Sequence, residues 1–199
     1  MIQYNNRNIG GRTMCGRYQS WIEDEELVKI VEREKKGSSQ LYFRKEEITP
    51  GMTTPVLYGG SICVRAGTAV WGYPVEKEGR TKLIFNARAE SAASKSLFRD
   101  DIAGGRIVVP ASGYYEWKDG RKYRIGRGIL YLAGLFRQMD KGYRFVILTT
   151  EPTSEIRPIH DRMPLLLSHD EIEKWLYDES FSRRKLLTPN TVSLSAEAV

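Results

Sequence analysis

The chain has 199 residues, with 31 Lys plus Arg against 25 Asp plus Glu and a formal charge of +6. That length suits one domain, and an apolar fraction of 41% is enough for a packed core, which excludes global disorder. No apolar run approaches the roughly 20 residues of a membrane span. Two cysteines build no disulfide framework, and Cys15, Cys63, His160 and His169 show no zinc spacing, so neither a metal nor another cofactor is expected. The mild positive charge accommodates a nucleic-acid partner, but it suits an ordinary basic surface equally well.

Residues 1–13, MIQYNNRNIGGRT, carry no acid and no apolar period, and they lack the apolar centre of a secretory signal. The segment 1–14 reads as a disordered extension, a misassigned start before Met14, or a propeptide. Residues 15–199 read as a single domain. IEDEELVKIVEREKK predicts an amphipathic helix over 22–36, with acids in its first turn, bases in its last, and Gly37 as its stop. VLYGGSICV predicts a hairpin turned at Gly59-Gly60. TAVWGY, KLIFNA, RIVVP, GYYEW, KYRI, ILYLAGLF and YRFVILTT are short and rich in aromatic and β-branched residues, as strands are, and Lys118-Asp119-Gly120 predicts a turn between two of them. A short helix is expected over 91–99. A second runs from Ser168 to Tyr177, where Ser168 and Glu171 make a capping box. The tail from Ser182 is polar and weakly patterned. The whole predicts an α+β fold that is mainly β, a barrel-like curved sheet with a few peripheral helices.

Four islands place reactive residues inside strand-like runs. In Met14-Cys15-Gly16-Arg17-Tyr18, a cysteine after methionine becomes an N-terminal 1,2-aminothiol once the methionine is removed. Its amine, with a pKa of roughly 8, and its thiol, roughly 8.5, are both partly reactive near neutrality. Such a unit condenses with an aldehyde to an imine, and the thiol then closes a thiazolidine ring. In Phe85-Asn86-Ala87-Arg88-Ala89-Glu90, Asn86 is a poor strand residue unless it bonds something specific, and Arg88 suits a phosphate. In Gly113-Tyr114-Tyr115-Glu116-Trp117, aromatic neighbours desolvate Glu116, which suits it to proton transfer. Ile159-His160-Asp161-Arg162-Met163-Pro164 holds the natural acid–base of neutral pH, with an arginine beside it. Taken singly, each residue also has a plain reading. Cys15 is then an inert buried thiol, Asn86 an Asx turn, Arg88 a solvated charge, Glu116 an outward strand residue and His160 a packed histidine.

Taken together, MCGRY, the Trp71-Gly72 pair, NARAE, GYYEW and IHDRMP, in this order and at these separations, closely resemble the SOS response-associated peptidase (SRAP) family over about residues 14–178. That family includes proteins that shield abasic sites in single-stranded DNA. The resemblance implies that Cys15, exposed after methionine removal, forms a thiazolidine with the open-chain aldehyde of an abasic site. Asn86 would position the Cys15 backbone and the sugar. Glu116 would manage protons at the amine, and His160 would assist ring opening. Arg17, Arg88 and Arg162 would grip phosphates, and Trp71 would stack on or wedge between bases. The partner implied is single-stranded DNA containing abasic sites, bound by a cytoplasmic monomer that joins the nucleoid through DNA and touches no membrane. Two other functions stay open on the residues: a thiol peptidase that removes its own N-terminal segment, and a noncovalent binder of single-stranded or modified DNA.

Overall fold

The structure, a computed structural model, describes residues 16–20, 29 and 30, and 46–199. The extension 1–14 lies outside the described residues, as does Cys15. The helix expected over 22–36 is described only at Lys29 and Ile30, which are helical.

A closed five-stranded barrel forms the centre. Strand β1 is Tyr18–Gln19 and β2 is Glu47–Ile48; β3 (Thr53–Gly59) and β4 (Val64–Trp71) make the expected hairpin. The chain turns over residues 60–63, where the Gly60 N–H donates to the Cys63 carbonyl at 3.1 Å. The excursion β5 (Tyr73–Lys77) and β6 (Arg80–Ile84) is followed by β7 (Asn86–Arg88), β8 (Arg106–Ala111), β9 (Gly113–Lys118), β10 (Arg121–Ile125), β11 (Leu130–Met139) and β12 (Gly142–Thr150). Strands β4, β3, β8, β11 and β12 pair in sequence, and β12 returns to β4, closing the ring. After the short strands β13 (Met163–Pro164) and β14 (Leu166–Leu167) comes β15 (Ala196–Ala198), the edge of a second sheet beside the barrel ordered β15-β10-β9-β1-β2.

The barrel wall is covered on both faces, so its strands read as near-continuous apolar runs. All six residues of β8 are buried. The pleat divides them: Ile107 and Val109 join one core cluster with Trp71, Tyr114, Phe145 and Ile147, while Val108 joins another with Val146, Leu148 and Trp175. Asp119 and Gly120, the two residues between β9 and β10, both have positive φ (51° and 78°), as a two-residue hairpin turn requires.

Helices lie outside the wall. Where one helix was expected over 91–99 there are two short ones, α1 (Ala89–Ala92) and α2 (Arg99–Gly104). Asp100 and Asp101 favour a helix start at Arg99 rather than an end there, because acids stabilise the first turn. The capped segment after Ser168 opens as a 3₁₀ turn, His169–Glu171, and continues as α3 (Ile172–Tyr177). The tail is more regular than its polarity suggests. Asp178 caps α4 (Glu179–Lys185) by accepting from the Phe181 N–H at 3.0 Å, and β15 covers the outer edge of β10. The buried Arg106 guanidinium ties α2 and α3 to the wall by donating to the carbonyls of Ile102, Ala103, Trp175 and Leu176, which α-helix ends leave unpaired.

Candidate functional site

Glu116 lies in the middle of β9 and is 2% exposed. Its side chain alternates with those of Tyr115 and Trp117, so the partly exposed Trp117 faces away from it. Strand β1 pairs with β9 at Tyr18↔Tyr114, and the Tyr115 N–H donates to the Arg17 carbonyl at 2.9 Å. The segment that follows Cys15 in the chain is thereby fixed to the strand that carries Glu116.

Asn86 and Arg88 come from β7, which runs parallel to β12 at Ile147↔Asn86 and Thr149↔Arg88. Two residues earlier, the same edge of β12 holds Trp71 of β4, opposite Phe145. The hairpin β5–β6 is thus inserted between two neighbouring positions on one strand edge. Its neck is closed by the Trp71 indole N–H, which donates to the Phe85 carbonyl at 2.8 Å. Gly72 makes the exit possible: its φ is +111°, and a Cβ there would sit 2.6 Å from the Leu83 Cγ. Asn86 is 8% exposed and Arg88 is exposed.

Trp71 corrects an expectation. It is 0% exposed, stacked on Phe145 at 6.2 Å and flanked by Tyr18 and Phe85, so its ring has no face to offer a base. It instead pins the backbone immediately before Asn86.

His160 follows a tight turn in which its own N–H donates to the Ile156 carbonyl at 3.0 Å, with Ile156 and Met163 fully buried on either side in the chain. Its Nε2 faces Glu116 Oε2 at 3.9 Å, longer than a hydrogen bond but within ion-pair reach. On the other side of the ring, Nδ1 meets the Arg162 N–H at 3.1 Å, the Arg162 carbonyl at 3.2 Å and Asp161 Oδ1 at 3.2 Å. Nδ1 cannot accept from the N–H and donate to an oxygen at once. Which it does decides whether Nε2 carries a proton toward Glu116, so the two sides of the ring are linked.

Arg162 corrects a second expectation. Rather than reaching for a phosphate, it is 8% exposed and gives both ends of its fork to Glu90, at 2.8 Å each, with a further bond to the Thr149 carbonyl at 2.7 Å. Burial pushes the Glu90 carboxyl up, but the hydrogen bonds and charge of Arg162, a backbone hydrogen bond and the charge of Arg88 outweigh it and hold the group below its ordinary value. Arg17 is partly exposed. It bonds Glu47 at 2.7 Å, lies 5.5 Å over the Trp117 ring, and shares Glu47 with Lys122. Burial raises the Glu47 carboxyl, and the two cations more than offset it and hold the group low.

The structure therefore brings Glu116 and His160 face to face, links the Asn86 strand to the His160 segment through Glu90 and Arg162, and joins the Arg17 segment to the Glu116 strand. Sequence reasoning passed over Glu90, Asp161, Thr149, Glu47 and Lys122. Glu90 and Asp161 lie inside two of the islands already marked; nothing in the sequence marks the others. Among the described residues no group of His, Cys, Asp or Glu side chains is placed to hold a metal ion, and no helix is long and apolar enough to cross a membrane. A cleft of about 430 Å³ between residues 151–157 and 189–193 includes none of these site residues in its lining.

The chain is similar to several known proteins in sequence and in fold. Abasic site processing protein YoaM of Bacillus subtilis is 28% identical over 186 residues, 85% of this chain and 82% of its own. Abasic site processing protein YedK of Escherichia coli is 29% identical over 181 residues, 83% of this chain and 81% of its own. Abasic site processing protein HMCES of Gallus gallus is 31% identical over 124 residues, 46% of this chain and 37% of its own. The fold recurs in crystal structures of a protein from Bacteroides thetaiotaomicron (TM-score 0.71, 24% identity, 93% of this chain and 92% of that one) and one from Bordetella bronchiseptica (TM-score 0.70, 24% identity, 93% and 99%). The model of the family described as SOS response associated peptidase (SRAP) matches residues 14–199, and the chain belongs to that family.

Proposed function

We propose that the chain processes abasic sites by capturing them covalently in single-stranded DNA through an N-terminal Cys15. Family membership and the relatives named as abasic site processing proteins support the substrate class. The observation that carries the chemistry is the buried Glu116–His160 pair, whose Glu116 lies on the strand to which the segment after Cys15 is hydrogen-bonded.

The step balances as a condensation. His160 helps the closed sugar open by moving a proton between its anomeric hydroxyl and its ring oxygen, which leaves an aldehyde. The Cys15 amine, as the neutral base, attacks the aldehyde carbon, and Glu116 takes up the proton released. A proton returned to the new hydroxyl lets it depart as water and leaves an imine. The Cys15 thiol then adds its sulfur to the imine carbon while its proton passes to the nitrogen, closing the thiazolidine. One water is lost overall, and no oxidant, metal or cofactor is consumed. Asn86 orients the Cys15 backbone and the sugar. Arg88, exposed at the end of β7, and Arg17 hold flanking phosphates, which suffices for a lesion with no base to read.

The test uses protein translated from Met14 and an abasic single-stranded oligonucleotide. A band that survives denaturation, with the summed mass less one water, is expected, and Cys15→Ala should abolish it. If no adduct forms, but the full chain releases residues 1–14 in a manner dependent on Cys15 and Glu116, the protein is a peptidase acting on itself. If neither occurs and DNA still binds, it is a noncovalent binder.

A further inference from the structure

We infer that Glu90 is a positioning residue for this same site: through Arg162 it holds the His160 imidazole in register with Glu116. The inference rests on the covalent-capture reading for its functional consequence, but the geometry stands apart from it. Arg162 serves His160 twice over. Its backbone N–H and carbonyl flank Nδ1 at 3.1 and 3.2 Å, and its side chain fixes where that backbone lies. The side chain is fixed in turn by the planar two-point match of guanidinium and carboxylate at Glu90, together with the Thr149 carbonyl of β12. Glu90 belongs to α1, four residues after Asn86, so a single ion pair locks the Asn86 element to the His160 element.

The energetics favour a local role. The Glu90 side chain is 46% exposed, and pairs of that kind add little to global stability. The Arg162 side chain is only 10% exposed, so loss of its carboxylate leaves a nearly buried cation uncompensated. The relief is movement of Arg162, and with it of the groups around Nδ1. The charges that face the imidazole are Glu116 at Nε2 and Asp161 at Nδ1.

The test is histidine-selective NMR on the full chain, which holds only His160 and His169. His169 is exposed and packs its ring against Tyr131 at 5.9 Å, so it serves as an internal reference. In Glu90→Gln the His160 ring signals should shift, while those of His169 stay in place. Glu90→Asp should restore part of the effect. If Glu90→Gln fails to fold, Arg162→Lys, which cannot make the two-point match, should disturb His160 in the same way. A folded variant of either kind with unmoved His160 signals overturns the inference. In the oligonucleotide assay, Glu90→Gln should slow adduct formation about tenfold or more with single-strand affinity unchanged. Tighter DNA binding by Glu90→Gln would mean that Arg162 is a phosphate contact held in check, and would also overturn it. Failure of the wild type to form any adduct would refute covalent capture and leave the NMR comparison to decide the role of Glu90.

Discussion

The Nε2 of His160 stands 3.9 Å from Oε2 of Glu116, and both side chains are at most 4% exposed. The two come from different parts of the fold: Glu116 from the five-stranded sheet beside the barrel, His160 from the segment between barrel strand β12 and the short strand β13 (Met163–Pro164). A carboxylate and an imidazole held this close, out of bulk water, form a proton-transfer pair needing only a small adjustment or a bridging substrate atom to complete a hydrogen bond.

Glu116→Gln keeps the shape and removes the proton acceptor. It should slow adduct formation on the order of a hundredfold or more, with single-strand binding retained. His160→Gln should slow it comparably when the abasic sugar must first open, and less when a small free aldehyde is offered in its place. Rates from quenched time courses on both substrates check this. Equal losses for His160→Gln on the two substrates would remove ring opening from its role.

Arg88 is the exposed guanidinium on the strand that carries Asn86. If it neutralises one phosphate, Arg88→Ala should reduce the steepness of log affinity against log salt by about 0.7. The loss in binding should then be largest at low salt and shrink as salt rises. Titrations by fluorescence anisotropy across a salt series measure it, and a variant with the wild-type slope would place Arg88 away from the backbone.

The Glu90–Arg162 pair also predicts an acid limb. Glu90 has its pKa lowered in the folded chain, so its stabilising contribution is fully present above the unfolded carboxyl value near 4.3 and is lost as the pH falls through the folded value. Because Glu90 is half exposed, the contribution should not exceed about 1 kcal/mol. Urea midpoints should therefore separate wild type from Glu90→Gln at neutral pH and converge near pH 3. Curves that remain parallel down to pH 3 would show that the pair does not titrate with folding.

Much of this was legible without coordinates. The β9–β10 hairpin follows from its Asp-Gly signal, because only certain residues tolerate positive φ; the glycine pair also marked the β3–β4 hairpin, although Gly59 ends β3 and the turn falls over residues 60–63. The predominance of β structure follows from the aromatic and β-branched runs, and the capping box at Ser168 marked its helix correctly. Those are local rules, acting over a few residues. The split into α1 and α2 and the ordering of the tail were less legible, since Arg106 ties α2 to α3 and β15 pairs with β10, contacts made between distant elements.

The site divides along the same line. Cys15, Asn86, Glu116 and His160 were legible as candidates because they occur in islands whose order carries the family resemblance. What Trp71 and Arg162 do depends on their packed neighbours. Trp71 and Arg162 carry the same letters as a stacking ring and a phosphate clamp. Closure of the barrel buries Trp71 between Tyr18 and Phe145, and Glu90, 72 residues away in the chain, takes up the Arg162 fork. Burial and pairing are properties of the packed neighbours, which no short stretch of sequence encodes.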